Sequence, residues 1–505
     1  MPQKIAKSTA DFDVIIVGAG LSGISAAYYL KNKSPWAKFK VLEARSSIGG
    51  TWDLFRYPGI RSDSDMFTLG YSFNPWKQKE SIANGPSILE YLKSTVTKYN
   101  LYDDIDFNTK LCSADWNSFD NNWVLELQIG SKEESTVIRT KFLFFCSGYY
   151  DYDRGYLPDF KDIKKFNNTI VHPQFWPETL DYKDKQIVVI GSGATAVTLV
   201  PAMAQQAKHI TMLQRSPTYI VSLPKIDPIA NAIDLALPDS LSGPIIRWYK
   251  ALVSQASYRI SKIIPKQMAA VIKKQVKSQL PNDFDVEKHF TPKYNPWDQR
   301  LCVVPNGDLF YAIRKGKASI VTDEIDYFEK ESIHLKSGQD LKADIVVTAT
   351  GLELVFLGNT KITIDKVPLN HSNRMTFRGM MLQDVPNLAF SIGYTNASWT
   401  LKAELICNYT VRILNKMNSS GSQVVYPTII TSEATPEPLM GLSSNYILRA
   451  NDRLPKQGAQ YPWKVYQSYL KDYICTKLPN SINDKELIFS DRYDSSSESI
   501  TKPSI

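Results

Sequence analysis

The sequence predicts an α/β chain in which one doubly wound unit is inserted into another, and three observations carry that reading. The apolar run Asp13-Val14-Ile15-Ile16-Val17 passes at once into Gly18-Ala19-Gly20-Leu21-Ser22-Gly23 and then into a helical pattern through Ala26, Ala27 and Leu30. The same succession returns as a strand over Gln186–Ile190, the loop Gly191-Ser192-Gly193-Ala194-Thr195-Ala196, and a helix over 197–207. Two similar strand ends, Cys146-Ser147-Gly148 and Ala349-Thr350-Gly351, flank that second unit, as expected where a chain crosses between two domains and returns.

Each glycine of the first loop has a job. Gly18 permits the tight turn, Gly20 lets a pyrophosphate approach the backbone, and Gly23 lets helix and strand pack closely, with unpaired helix amides facing the phosphates. Alone the pattern is a weak signal. Here the next strand, Phe39–Leu42, ends in Glu43, 20 residues past Gly23, where a carboxylate can accept both hydroxyls of a ribose. In the second loop Ala196 replaces the third glycine, a change the fingerprint tolerates. The strand after it, over 209–213, is followed by Gln214, Arg215 and Ser216. A carboxylate there would repel a ribose 2′-phosphate, whereas arginine pairs with it through two charge-assisted hydrogen bonds, so the second site is expected to prefer NADP over NAD.

Between the loops, Gly49-Gly50-Thr51-Trp52-Asp53 suits a chain running along a cofactor, and Arg56, Arg61, Asp63 and Asp65 form a charged cluster. A helix is expected over 87–99, short strands at 105–107 and around Leu111, a hairpin over 116–130, and a buried strand over 141–145. The stretch Phe166-Asn167-Asn168-Thr169-Ile170-Val171-His172-Pro173-Gln174-Phe175-Trp176-Pro177 joins the two nucleotide units. Because His172 and Trp176 each precede proline, both are expected in extended backbone, as in an inter-domain strap.

A helical insertion is expected over 230–280. From Ser240 to Asn282 it has no acidic residue but eight basic ones, Arg247, Lys250, Arg259, Lys262, Lys266, Lys273, Lys274 and Lys277, among many apolar side chains. Such a segment can present a solvated basic face, cover an apolar substrate, or lie at an anionic membrane surface. After it come the loop Tyr294-Asn295-Pro296-Trp297-Asp298-Gln299-Arg300, a strand over 387–392, the loop Gly393-Tyr394-Thr395-Asn396-Ala397-Ser398-Trp399, and a helix over 401–415.

Composition narrows the class. At 505 residues, 43% hydrophobic and 22% charged, the chain suits a multi-domain globular enzyme. A net charge of +8 without a basic block makes nucleic acid an unexpected partner. The five cysteines, Cys112, Cys146, Cys302, Cys407 and Cys475, have neither Cys-x-x-Cys nor metal spacing, so free thiols in a reducing compartment are expected and disulfide reductase chemistry is disfavoured. With no apolar signal core or spanning run, the expected location is cytoplasmic, with peripheral contact at the inner face of the cell membrane through residues 240–282.

The joining stretch resembles the Baeyer–Villiger monooxygenase fingerprint, Phe-x-Gly-x-x-x-His-x-x-x-Trp followed by Pro or Asp. Phe166, His172, Trp176 and Pro177 match; Asn168 stands where that family has glycine, and as a residue at ease at positive φ it is expected to keep the turn. The stretch from Gly49 to Met66, the loop 295–300 and residues 393–402 resemble the branch of the ethionamide-activating monooxygenase and the flavin-binding long-chain alkane monooxygenases. The similarity covers roughly residues 12–480.

The resemblance implies two Rossmann-like dinucleotide-binding domains. The first, for FAD, would comprise residues 1–148 and 346–485. The second, for NADPH, would be inserted at 149–345 with the helical insertion at about 225–290, and a polar tail would follow at 486–505. It further implies FAD contacts from Ser22, Glu43, Gly50, Thr51, Trp52, Asp53, Leu54, Asp63 and Leu111, and NADP contacts from Arg61, Ser62, Asp63, Gly191 to Ala196, Val197, Arg215 and Ser216. Arg300, oriented by Asp63, matches the active-site arginine. The implied reaction passes hydride from NADPH to FAD, forms a C4a-peroxyflavin with O2, and converts a hydrophobic ketone to an ester, with S-oxygenation beside it. The alternatives are N/S-oxygenation or alkane hydroxylation on the same cofactors, and a flavin reductase without oxygen transfer. His172 is expected to couple the domains rather than to catalyse.

Overall fold

A computed structural model describes residues 10–131, 135–430 and 435–493; the tail expected from 486 instead begins as a strand, Leu487–Ser490, paired antiparallel with Val424–Pro427, and lies outside the described residues only beyond 493. The chain forms two principal sheets. In the first, Phe12–Val17 lies parallel to Phe39–Leu42 on one side and to Ser135–Phe145 on the other. Val14, Ile15 and Ile16 have no solvent exposure, which is why this strand is an unbroken apolar run rather than an alternating one. Lys361–Ile364 and Leu388–Phe390 join the same sheet from the last third of the chain. The second sheet is wholly parallel, in the order Ala318–Thr322, His209–Gln214, Gln186–Ile190, Ile345–Thr348 and Thr169–Val171. Its strands thus fall between two parts of the first sheet in sequence.

The two glycine loops are built against the two crossings. Gly18 has φ +100°, and a Cβ there would stand 2.8 Å from the carbonyl oxygen of Cys146. Gly191 has φ +134°, and its Cβ would stand 2.3 Å from the carbonyl oxygen of Ala349. In each unit the strand-to-helix turn is therefore pressed on the chain entering or leaving the other unit.

The expected hairpin over 116–130 is a longer three-stranded meander. Thr109–Asn117, Asn122–Ile129 and Ser135–Phe145 pair antiparallel, with Trp116 opposite Trp123. Asn117 takes the amides of Phe119 and Asp120 on its side-chain oxygen and Asn121 has φ 51°, so the turn sits between the two tryptophans. The expected helix over 87–99 runs as Gly85–Lys98, capped by Asn84, whose side chain accepts the Ser87 amide at 2.8 Å.

The insertion is helical as expected, with helices Pro228–Ala236, Asp239–Ile263 and Pro265–Lys277. Its basic residues are not one solvated face. Arg247 is 7% exposed and its guanidinium pairs with the buried Glu404. Lys250, Lys262 and Lys273 pair with Asp65 and Asp227, Asp298, and Glu287. The acidic partners absent from residues 240–282 are supplied by the segments around that stretch.

The joining stretch becomes the edge strand of the second sheet, Thr169–Val171. His172 lies against the place where the crossings pair, Tyr150–Gly155 with Leu352–Leu354. Its Nδ1 accepts the Gln174 amide at 3.2 Å and its Nε2 faces the carbonyl of Gly351 at 3.3 Å, an arrangement suited to a neutral Nε2–H ring. Burial lowers its pKa below the ordinary histidine value, in keeping with a structural imidazole.

Asn168 is not at positive φ, contrary to expectation. Its side-chain amide donates instead to the carbonyl of Ala343 at 3.0 Å, fastening the strap to the start of the neighbouring strand Ile345–Thr348. Asn168→Gly is therefore expected to lose that bond and loosen the backbone, destabilising the protein by about 1–2 kcal/mol while activity survives. Thermal unfolding checks this: an unchanged midpoint would remove the bond from the account of the strap.

Candidate active site

A cavity of about 830 Å³ runs from the end of the first sheet to the loop at Arg300. Such a volume lies toward the upper end of the range, about 300–1,000 Å³, typical of small-molecule and cofactor pockets. At one end it is lined by Glu43, Arg45, Lys110, Leu111 and Gln128, at the other by Asp63, Arg300, Tyr394 and Trp399. Leu111 reaches it because the pairing register shifts between Leu111 and Ser113, a bulge that re-aims the strand.

The first loop fits a dinucleotide. Gly20 and Gly50 face each other so closely that a Cβ on Gly20 would lie 3.6 Å from the Cα of Gly50 and would fill the cradle between them. Gly18, Ser22, Thr51, Trp52 and Leu54 line the same space. Gly23 does not; a Cβ there would meet the Gly18 carbonyl at 1.8 Å, so it serves helix–strand packing as expected. Glu43 is 5% exposed and accepts one backbone amide on each carboxylate oxygen, from Ala19 at 2.7 Å and Arg45 at 2.9 Å. Burial raises its pKa, while those amides favour the ionised form; each oxygen retains a lone pair for a ribose hydroxyl.

Asp53 does not line the cavity. Its carboxylate is buried between Arg45 at 2.6 Å and Arg56 at 3.1 Å, so its side chain positions the loop rather than touching a cofactor.

Arg300 and Asp63 meet in a two-point ion pair, Nε to Oδ2 and Nη2 to Oδ1, both at 2.9 Å. They come from segments 237 positions apart, and each keeps about a third of its side chain exposed, 32% and 30%. The Asp63 charge raises the arginine pKa above its ordinary value, so the guanidinium is a permanent cation at the cavity wall. Three tyrosines stand near enough for these charges to act on them: Tyr149, Tyr150 and Tyr446. Burial raises all three phenols, and it pushes the Cys302 thiol up to about 12, so the surroundings of Arg300 hold neutral groups.

Ser22 is held from the far side of the molecule. Trp399 Nε1 donates to its hydroxyl at 2.9 Å, and the Ser391 hydroxyl lies 3.1 Å away. The Trp399 ring packs 5.0 Å from that of Tyr149. Thus the start of the helix Trp399–Ser420 reaches the cavity. Tyr149 and Tyr150 were not singled out in the sequence, although they directly follow Ser147-Gly148, the crossing on which the first loop rests.

Of the residues expected at the second nucleotide, Ala194 lines this cavity, with Arg61, Ser62 and Asp63 from the charged cluster. Gly191, Ser192, Gly193, Thr195, Ala196 and Val197 follow the C-terminal end of a central strand of the second sheet and open its helix Ala194–Met203. Arg215 and Ser216 lie exposed just past the neighbouring strand end, and Ser192 Oγ donates to the Ser216 carbonyl at 3.1 Å. The loop and the residues after the neighbouring strand are thereby one surface. Arg61 pairs with Asp308 and touches the carbonyl of Val197 at 3.5 Å, so it ties the charged cluster to the second unit.

A family model described as flavin-binding monooxygenase-like matches residues 71–372, and one described as an NAD(P)-binding Rossmann-like domain matches residues 16–78. The chain is 49% identical over 485 residues to the FAD-containing monooxygenase EthA of Mycobacterium tuberculosis, covering 96% of this chain and 99% of that protein. It is 46% identical over 495 residues to the probable FAD-binding monooxygenase AlmA of Acinetobacter baylyi, covering 98% and 99%. The solved structure of an oxidized steroid monooxygenase bound to NADP has a similar fold, with a TM-score of 0.75 at 20% identity over 95% of this chain and 99% of that one.

The cradle between Gly20 and Gly50 yields a direct test. Gly20 has φ −80°, which alanine adopts freely, and an added methyl meets the protein only at ordinary contact distance. Gly20→Ala is expected to fold normally yet to lose tenfold or more of its dinucleotide affinity. The molar ratio of bound dinucleotide to chain after gel filtration checks it; full retention would show that the cradle is not where the pyrophosphate lies.

Proposed function

The chain belongs to the flavin-binding monooxygenase-like family and is an FAD-containing, NADPH-dependent monooxygenase, and we propose that it transfers oxygen in the Baeyer–Villiger manner, converting a hydrophobic ketone to an ester beside Arg300. The observation that carries this reading is the two-point pairing of Arg300 with Asp63 at the wall of a cavity lined by aromatic side chains.

In this reading Gly18, Gly20, Ser22, Glu43, Gly50, Thr51, Trp52, Leu54 and Leu111 hold FAD. Gly191 to Val197 with Arg215 and Ser216 hold NADPH, the arginine reading the 2′-phosphate. FAD, when bound, supplies hydride acceptance and oxygen activation. The protein's own part is electrostatic and steric. Asp63 fixes the plane of the Arg300 guanidinium and leaves its remaining N–H groups toward the cavity, where they can donate to negative charge developing on the substrate's carbonyl oxygen. A unit charge about 4 Å away at an effective dielectric near 20 is worth about 4 kcal/mol, roughly three orders of magnitude in rate. Trp399, Tyr149 and Tyr150 keep the surroundings of that charge poor in water and free of a competing anion.

A finer proposal concerns location. No helix among the described residues is long and apolar enough to cross a membrane. The insertion nevertheless exposes Leu235 at 79%, Ile263 at 77% and Val271 at 63%, and its Arg259, Lys266, Lys274 and Lys277 are exposed as well. Apolar side chains mixed with free cations support peripheral contact with an anionic lipid surface.

Two outcomes test these readings. Arg300→Ala is expected to retain NADPH-driven flavin reduction while ester formation falls about 10²–10³-fold. Product analysis with linear ketones, cyclic ketones and thioethers measures this, and ester yield within about tenfold of the parent enzyme would exclude Arg300 from the reaction. Sedimentation with anionic vesicles is expected to carry the protein down, and Ile263→Ser with Val271→Ser to abolish it; equal behaviour with zwitterionic vesicles or none would end the membrane proposal.

A further inference from the structure

The helix Asp239–Ile263 has 25 residues and lines no part of the cavity, yet it grips both segments that supply the Arg300–Asp63 pair. Its first half holds the Asp63 side. Lys250 Nζ lies 2.9 Å from Asp65, two positions beyond Asp63, and 2.6 Å from Asp227. Asp65 in turn caps the short helix Met66–Leu69 by accepting the Phe67 amide at 2.9 Å, and Arg247 donates to the carbonyl of Thr68 at 3.2 Å and to that of Gly70.

The far end of the helix holds the Arg300 side. Trp297 has φ +68°, a left-handed backbone that a bulky side chain rarely adopts, so its loop depends on outside support. Tyr258 packs edge-on against the Trp297 ring at 5.6 Å. Lys262 Nζ donates to the Trp297 carbonyl at 3.1 Å and to Asp298 Oδ1 at 2.8 Å, two positions before Arg300. At 1.5 Å per residue, the twelve residues from Lys250 to Lys262 place these grips about 18 Å apart on one rigid rod.

We infer that this helix is a brace for oxygen transfer, with Lys262 and Lys250 as positioning residues that fix the alignment of Arg300 on Asp63 by holding Trp297-Asp298 and Asp65. The inference rests on the proposed role of Arg300 and adds that the alignment is imposed from the insertion. Neither lysine touches the cavity, so each acts on the reaction only through the segments it holds. Each is also a two-partner grip, Lys262 on a carbonyl and a carboxylate, Lys250 on two carboxylates.

The test measures coupling, the fraction of consumed NADPH that appears as oxygenated product, the remainder leaving as hydrogen peroxide. In the FAD-loaded enzyme, Lys262→Met is expected to keep flavin content and the rate of flavin reduction by NADPH within about twofold. Coupling should fall about tenfold, with the loss in kcat rather than KM, because a misplacement of about 1 Å at a charge-aligning group is felt in the transition state. Lys262→Arg should restore most of it, and Lys250→Met should resemble Lys262→Met. A lower unfolding midpoint with unchanged coupling would reduce the lysines to structural residues and overturn the inference. Arg300→Ala in parallel separates the two levels: if it keeps its coupling, the role of Arg300 falls; if it loses coupling while Lys262→Met does not, only the brace falls.

Discussion

The structure depends on keeping one arginine charged, aimed and accessible at a cavity wall where aromatic side chains stand close by. A half-buried guanidinium is held in one orientation when a carboxylate meets it at two points, and Asp63 does so. The partners are remote in sequence, so the pair exists only when the charged cluster of the first unit and the loop after the insertion are brought together. Around it the fold supplies neutral phenols and a protonated thiol, none of which competes with Asp63 for the guanidinium.

The two nucleotide units repeat one construction. A buried parallel strand runs into a glycine at positive φ, and that glycine lies against the carbonyl of the chain crossing to the other unit. The contacts of Gly18 with Cys146 and of Gly191 with Ala349 make the loops sensitive to the position of the crossings. The crossings pair with each other as Tyr150–Gly155 and Leu352–Leu354, and His172 pins the end of the joining stretch to them, while Asn168 ties its start to Ala343. Both loops are thus referenced to one small double-stranded junction.

Much of this was legible in the sequence because strands buried on both faces are unbroken apolar runs and because glycine is demanded where a side chain cannot fit. Gly18, Gly23, Gly191 and Glu43 could be read in that way, and Arg300 and Asp63 followed from resemblance. What stayed hidden was settled by partners far along the chain. Asp53 looked like a cofactor contact until Arg45 and Arg56 were seen to take its carboxylate. Arg247 looked like part of a basic surface, but Glu404, 157 positions on, draws it inside. Asn168 was judged by its backbone tolerance when its side-chain amide is what the fold uses. Tyr149 and Tyr150 carried no local pattern at all; only the approach of Trp399 and Arg300 gives them meaning.

The contact between Gly155 and His172 extends this to descent with modification. A Cβ on residue 155 would fall 2.1 Å from the imidazole Cε1 and 2.5 Å from both ring nitrogens, so the ring occupies the volume that any side chain at 155 would need. The two positions behave as one inherited character. A lineage that keeps the histidine is confined to glycine at 155, and one that trades the imidazole for a smaller group frees that position to acquire a side chain. Substitutions at these sites are therefore expected to travel together, in an order fixed by sterics: the ring must leave before the methyl can arrive.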